Sequence, residues 1–115
     1  MKAARTSPSR KLLSPQAIAL VAQRFKALGE PARLRLINTL MQGELSVNDL
    51  VERTGLTQAN VSKHLAQLVQ IGFLSRRKEG AYTFYAIADE SLYALCDLMC
   101  SSVSRKLKQD LDFVG

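Results

Sequence analysis

The side chains best suited to bind another molecule lie close together between residues 57 and 67. Glutamine and asparagine can each form two hydrogen bonds with adenine in a DNA major groove, serine can pair with several bases, and lysine can bind phosphate. Such side chains face base edges when they lie near the N-terminal end of a helix in the groove. An ordinary solvated helix face is the alternative interpretation. The candidate DNA contacts in this stretch are Thr57, Gln58, Asn60, Ser62, Lys63, His64 and Gln67.

A second group of candidates surrounds Gly80, where three adjacent cations precede the glycine. A cationic hairpin beside a reading helix can bind phosphate or enter the minor groove, although the same charges could only solvate an edge strand. We favour DNA contact because no acidic residue occurs from residue 53 to residue 78. The candidates in this group are Arg76, Arg77, Lys78 and Tyr82.

Two cysteines, Cys96 and Cys100, are one helical turn apart. Their Cβ atoms would be about 5 to 6 Å apart on a helix, so both sulfurs could bind one soft ion such as As(III). A disulfide between them is disfavoured, because bridged cysteines need Cβ atoms about 3.5 to 4.5 Å apart. Both cysteines could instead only pack, since cysteine behaves as a small hydrophobe. A closed zinc site is not expected, because His64 is the only histidine.

The elements that would position the first group can be predicted from local rules. Ser46 is typical of a helix N-cap, Asp49 suits the first turn, and Gly55 suits the position just after the helix. Thr57 would cap a second helix that closes at Gly72. Two helices joined by so short a turn predict a helix-turn-helix. Residues 74–79 and 81–87 then predict the two strands of a hairpin.

Three further helices are expected around this unit. Ser14 would cap a first helix that starts at Pro15. Its apolar stripe contains Ile18, Val21, Phe25 and Leu28. A second helix, Ala32 to Met41, should direct Arg33 and Arg35 to solvent. Its inward side chains should be Leu34, Ile37, Leu40 and Met41.

Asp89 would cap the final helix, from about Glu90 to Leu107. That helix carries a long apolar stripe formed by Leu92, Leu95, Cys96, Met99, Val103 and Leu107. The stripe exceeds what one small domain needs on one helix, which favours a second subunit. The predicted fold class is therefore α+β and mainly helical, a winged helix-turn-helix with a two-stranded wing. We expect a basic disordered arm over residues 1–13, the domain over 14–109, and a tail over 110–115.

Composition limits the classes of function. A chain of 115 residues with 47% hydrophobic residues predicts one small packed domain, and the net charge of +6 favours a polyanionic partner. Neither a signal peptide nor a membrane-spanning run is visible, so we expect a cytoplasmic protein with cysteine thiols. An enzyme is not expected, because there is no glycine-rich phosphate loop and no nucleophile with a partner base.

The chain resembles a known family over about residues 15 to 107. The run ALGEPARLRLINTL, followed by GELSVNDLVERTGLTQANVSKHLAQLVQIGFLSRRKEGAYTFYAI, is similar to the ArsR/SmtB family of bacterial winged-helix repressors. The resemblance implies a homodimer through the first and last helices, bound to a palindromic operator on double-stranded DNA. It also implies release from DNA by metals, metalloids or redox signals.

Two metal sites of the resembling family are absent from this sequence. Metal-sensing members carry cysteines in the third helix, where this chain has Ser46 and Asn48, which cannot replace thiolates for soft metals. Asp89 matches the other site, on the last helix. Ser91, Ser102 and Arg105 stand where its histidines would be.

The sequence therefore leaves two hypotheses for regulation. In the first, a repressor leaves its operator when a soft metal or metalloid, an oxidant or reactive sulfur acts on Cys96 and Cys100. In the second, a winged-helix regulator has no small-molecule sensor and is controlled by its abundance or by a protein partner.

Overall fold

A computed structural model describes residues 11–107 as five helices and a three-stranded sheet. In chain order the elements are α1 (Pro15–Leu28), α2 (Pro31–Leu40), β1 (Leu45–Ser46), α3 (Val47–Thr54), α4 (Gln58–Gln70), β2 (Leu74–Glu79), β3 (Tyr82–Ile87) and α5 (Ser91–Leu107). Residues 1–10 and 108–115, which include most of the predicted arm and the predicted tail, lie outside the described residues. No helix within residues 11–107 is long and apolar enough to cross a bilayer.

The helix starts are set by the local signals that the sequence contains. The Ser14 Oγ accepts a hydrogen bond from the Ala17 N–H at 3.1 Å, and Pro15 occupies the first turn of α1. The cap of α2 is Glu30, whose carboxylate accepts from the Arg33 N–H at 3.1 Å. The helix begins at Pro31, one residue earlier than predicted, because a proline fits that first position.

The sheet has one strand more than the predicted two-stranded wing. Strand β3 lies in the centre and pairs antiparallel with β2 on one side and with β1 on the other. Strand β1 contains only two residues, with Leu45 opposite Tyr85 and Ser46 opposite Phe84. Ser46 thus ends a strand and caps α3 at once, so the sheet is joined directly to the helix-turn-helix.

The hydrophobic core lies between α2, α3, α4 and the base of the wing, and the C-terminal end of α1 and the start of α5 also contribute to it. Its fully buried side chains are Leu36, Ile37, Leu40, Leu50, Val61, Leu65, Leu68 and Leu92. The sequence placed Leu34 in this set, but its side chain is 41% exposed. The inward stripe of α2 instead contains Leu36, adjacent to Ile37, so Leu34 falls on the side of α2 that faces α1 and α5.

Candidate nucleic-acid interface

The start of α3 is held by reciprocal hydrogen bonds. The Ser46 Oγ accepts from the Asp49 N–H at 3.1 Å, and the Asp49 carboxylate accepts from the Ser46 N–H at 3.3 Å. This capping box satisfies two backbone donors that a helix start leaves open. The helix ends at Gly55, whose φ of 76° is a left-handed conformation that suits glycine. The prediction for this helix is confirmed at both ends.

The second helix of the pair, α4, presents two different sides. The Thr57 Oγ1 accepts from the Asn60 N–H at 3.2 Å and so caps the helix. Val61, Leu65 and Leu68 are completely buried beneath it. The outer side carries five of the predicted contacts. Exposed on that side are Gln58, Asn60, Ser62, Lys63 and Gln67.

A concave surface of about 280 Å³ lies between α4, the start of α3 and the wing. Its lining residues are Ser46, Val47, Asn48, Gln58, Ser62, Ala81, Tyr82 and Thr83. It brings Gln58 and Ser62 from α4 together with Tyr82, as the sequence predicted for one binding surface. Two further polar side chains, Asn48 and Thr83, were missed as candidates. Asn48 lies two residues before buried Leu50, so helical periodicity could have placed it on the outer side of α3.

The three cations of the wing are separated by the alternation of the strand. Arg76 and Lys78 lie on one face of β2, and Arg77 lies on the other. The Arg77 guanidinium donates to both carboxylate oxygens of Glu44, at 2.9 and 2.7 Å, and also pairs with Glu79. This hydrogen bonding lowers the pKa of the Glu44 carboxyl and raises the pKa of Arg77. Arg77 therefore differs from its two neighbours, with which the sequence grouped it.

His64 lies on α4 but is only partly exposed. Its Nδ1 is 3.3 Å from the Nε of Arg33, and the Nη1 of the same guanidinium donates to the Ala27 carbonyl at 3.2 Å. Since a guanidinium has no acceptor, Nδ1 is the acceptor of this hydrogen bond, which leaves Nε2 as the ring nitrogen able to donate. Arg33 was expected to be solvated, but it ties α2 to α1 and α4 instead.

The two cysteines of α5 have different surroundings. Cys96 is partly buried and lines an apolar groove of about 240 Å³, whereas Cys100 is exposed. Burial raises the pKa of the Cys96 thiol, and the neighbouring Cys100 and Asp97 raise it further. Both cysteines are free thiols, and no cluster of three or more possible metal ligands occurs within residues 11–107 of this single chain.

An apolar surface extends over the side of the molecule formed by α1 and α5. Several of its side chains are more than half exposed, which is unusual for large hydrophobic residues grouped on two helices. These side chains are Ile18, Phe25 and Met99. The predicted stripes of α1 and α5 thus lie largely outside the core of one chain.

Comparison with known proteins agrees with this architecture. Residues 30–76 match the family described as bacterial regulatory protein, arsR family. The regulator NmtR of Mycobacterium tuberculosis is 37% identical over 93 residues, which cover 81% of this chain and 77% of NmtR. A probable mercury resistance operon repressor of Streptomyces lividans is 38% identical over 68 residues. That match covers 59% of this chain, and the chain spans only about half, 54%, of that relative.

A solved structure gives the same result for the fold. The homodimeric winged helix-turn-helix DNA-binding domain Mb0332 of Mycobacterium bovis, described as a possible ArsR-family regulator, superposes with a TM-score of 0.72 at 26% identity. The superposition covers 91% of this chain and 98% of that domain. All three similar proteins are transcriptional regulators or their DNA-binding domains, not enzymes. This chain accordingly belongs to the arsR family of bacterial transcriptional regulators, with the winged helix-turn-helix fold of that family.

Proposed function

We propose that the protein is a homodimeric repressor of transcription that binds a palindromic operator through α4 and the wing. The observation that carries this proposal is the concave surface between α3, α4 and β3, where exposed amide and hydroxyl groups converge. Gln58 and Asn60 lie in the first turn of α4, the end of a recognition helix that meets base edges in a major groove. Tyr82 and Thr83 border the same surface from the wing.

The charges around this surface suit a phosphate backbone. Lys63 is exposed on the outer side of α4, and Arg76 and Lys78 are exposed on β2. Within residues 11–107 none of these three cations forms an ion pair, so their charges stay available for phosphate. Nε2 of His64, the ring nitrogen that Arg33 leaves free, is one further polar group on α4.

The apolar surface of α1 and α5 supports the dimer. Phe25 and Met99 are 56% and 58% exposed in the single chain, and burying such side chains in a partner would remove them from water. The similar Mb0332 domain is homodimeric. A two-fold dimer would place two α4 helices about one DNA turn, roughly 34 to 36 Å, apart and would therefore require a palindromic site.

DNA binding can be tested by fluorescence anisotropy on an operator selected by the protein from random duplexes. Lys63→Gln should weaken binding and reduce the slope of log K against log salt by about one phosphate contact. Gln70→Ala is the matched control, because Gln70 is exposed on α4 but lies at its C-terminal end. A selected site without two-fold symmetry, or a salt-independent affinity, would contradict the proposal.

Repression requires a separate measurement, since DNA binding alone does not show whether transcription falls or rises. Repressor is the role named for the similar Streptomyces lividans protein. A reporter placed behind the selected operator should fall in expression when the protein is present and recover with Lys63→Gln. A rise in expression would identify an activator.

For regulation we propose that a soft metal, a metalloid or a thiol oxidant acts on Cys96 and Cys100. The similar mercury resistance repressor supports a soft metal, and the one-turn spacing supports joint binding by two sulfurs. Burial raises the pKa of Cys96, and this shift favours neither agent, because the thiolate is both the form that binds a soft metal and the form that oxidants attack. The same burial favours the second hypothesis, in which Cys96 only packs and regulation comes from abundance or a protein partner.

The two hypotheses differ in one experiment. The reduced protein, bound to its operator, would be titrated with arsenite, Hg(II), Zn(II) and peroxide, beside the Cys96→Ser, Cys100→Ser variant. Release of the wild type but not of the variant by one agent would establish the sensor and its chemistry. If every agent leaves both complexes intact, the cysteines pack and the second hypothesis holds.

A further inference from the structure

We infer that Arg77 positions the wing relative to the helix-turn-helix, by joining β2 to the residue before β1, and that it does not contact DNA. The inference rests on the proposed function, because it assigns a role in DNA binding to a residue outside the contact surface. The group formed by Arg77, Glu44 and Phe84 is called the wing clamp below.

The order of the strands shows how far the Arg77 side chain reaches. Because β3 lies between β1 and β2, the two outer strands are about two strand spacings, roughly 9.5 Å, apart. Arg77 on β2 is directly opposite Phe84 on β3, so both side chains lie on one face of the sheet. The Arg77 guanidinium lies over the Phe84 ring, 4.8 Å from its centroid, and reaches Glu44 beyond it. One side chain thus crosses the central strand and connects β2 to the residue before β1.

The contact between Arg77 and Glu44 has a well-defined geometry. Both nitrogen donors of one edge of the guanidinium meet both carboxylate oxygens of Glu44, at 2.9 and 2.7 Å. Such a bidentate pair fixes an orientation as well as a distance. Glu79 occupies a further donor. With two carboxylates and an aromatic ring around it, Arg77 has little positive charge left to offer a phosphate.

The position of the clamp explains what it does. Strand β1 pairs with β3 through only two residues, and its second residue is the cap of α3. Glu44 directly precedes that strand. A tie between Arg77 and Glu44 therefore reinforces a short link between the wing and the helix-turn-helix. We expect the clamp to set the angle at which Arg76, Lys78 and Tyr82 approach DNA when α4 is in the groove.

Glu44→Ala tests the clamp by the sign of its effect. If Arg77 is a clamp, loss of Glu44 should weaken DNA binding about three- to fivefold, the range of a well-formed exposed ion pair. If Glu44 were only an acid near DNA, its removal would strengthen binding, because the site would lose a negative charge. Glu52→Ala is the matched control: it removes an exposed carboxylate on α3 that forms no ion pair within residues 11–107.

Arg77→Lys provides an independent variant with the charge retained. Lysine binds phosphate as a point charge but cannot form the bidentate pair or stack on Phe84 in the same way. The clamp predicts a loss similar to that of Glu44→Ala, although the positive charge is kept. Wild-type affinity for both Arg77→Lys and Glu44→Ala would overturn the inference.

Hydrogen exchange in the absence of DNA separates failure of the clamp from failure of the proposed function. The amides of β2 and β3 should exchange several-fold faster in Glu44→Ala than in the wild type or in Glu52→Ala. Faster exchange together with a wild type that binds no DNA would refute the proposed function and leave the clamp in place. Unchanged exchange, together with an operator affinity that does not fall, would refute the clamp and leave the proposed function intact.

Discussion

Apolar side chains are buried in the helix-turn-helix and its wing but largely exposed on the helix pair α1 and α5. In the first region, Leu50, Val61 and Leu65 are completely buried and the outer surface is polar. In the second, Met99 is 58% exposed, and Leu92 is the one fully buried side chain of α5. The apolar side chains of the first region are thus covered within one chain, whereas much of the apolar surface of the second region is left for another surface to cover. The apolar residues of α1 and α5 have the same helical spacing as those of α3 and α4. Periodicity alone therefore does not show whether an apolar stripe packs in the core of one chain or against another subunit.

The largest effect that distinguishes the two regions is expected from Phe25→Asp on α1. A charge on the exposed apolar surface should separate the dimer, because burying an unpaired carboxylate is costly. Each monomer would then bind one half-site, and operator affinity should fall about 100-fold or more as the linkage between two α4 helices is lost. Sedimentation should show monomers, while the far-ultraviolet circular dichroism stays unchanged.

The control for this variant is Gln16→Asp, which adds the same charge to an exposed position of α1. That variant should remain dimeric and bind the operator normally. A dimeric Phe25→Asp protein with wild-type affinity would show that the exposed surface of α1 is not the dimer interface.

A smaller difference between the two regions is expected when the N-cap serine of α3 or of α1 is replaced by alanine. Ser46 and Ser14 each accept a backbone hydrogen bond at 3.1 Å, but Ser46 is buried within a capping box and Ser14 is exposed. Ser46→Ala should lower the free energy of unfolding by about 1 to 2 kcal/mol and Ser14→Ala by about 0.5 kcal/mol. Urea unfolding at one fixed protein concentration measures both, since stability of a dimer depends on concentration. Equal losses would mean that the capping box adds nothing.

The caps also show why much of the fold follows from the sequence. Ser46, Asp49, Gly55 and Thr57 act within three or four residues of themselves, and all of them form the predicted helix starts and ends. Strand β1 was missed because two residues have no periodicity, and because Ser46 has a second role as a cap. A helix end can be predicted from the sequence when the hydrogen bond that caps it joins residues three or four positions apart.

The parts of the candidate site that the sequence did not reveal depend on distant partners. Arg77 and Glu44 are 33 positions apart, and nothing near either residue indicates the other. Strand alternation could have separated Arg77 from Arg76 and Lys78, but it could not have supplied the carboxylate. The pairing of Arg33 with His64, 31 positions away, is of the same kind.

The smallest effect is expected where the two regions meet, at Asp89. Its carboxylate accepts from the hydroxyl and the backbone N–H of Ser91 at the start of α5 and pairs with Arg24 of α1 at 3.4 Å. Arg24 in turn lies over the ring of Phe73, below the wing. The hydrogen bonds from Ser91, helped by the charge of Arg24, lower the pKa of Asp89. This small cluster therefore connects α1, α5 and the base of the wing.

A lowered pKa in the folded protein means that the ionised carboxylate stabilises the fold at neutral pH. The stabilisation is complete above the unfolded pKa of about 3.9 and is lost as the pH falls through the lower pKa of the folded state. Asp89→Asn should therefore cost at most about 1 kcal/mol near pH 7, because Arg24 is half exposed and water screens the pair. The difference between variant and wild type should shrink below about pH 4 in urea titrations. A difference that stays constant from pH 7 to pH 3 would assign the effect to hydrogen bonds that the amide cannot form, and the charge of Arg24 would then have no part in joining the two regions.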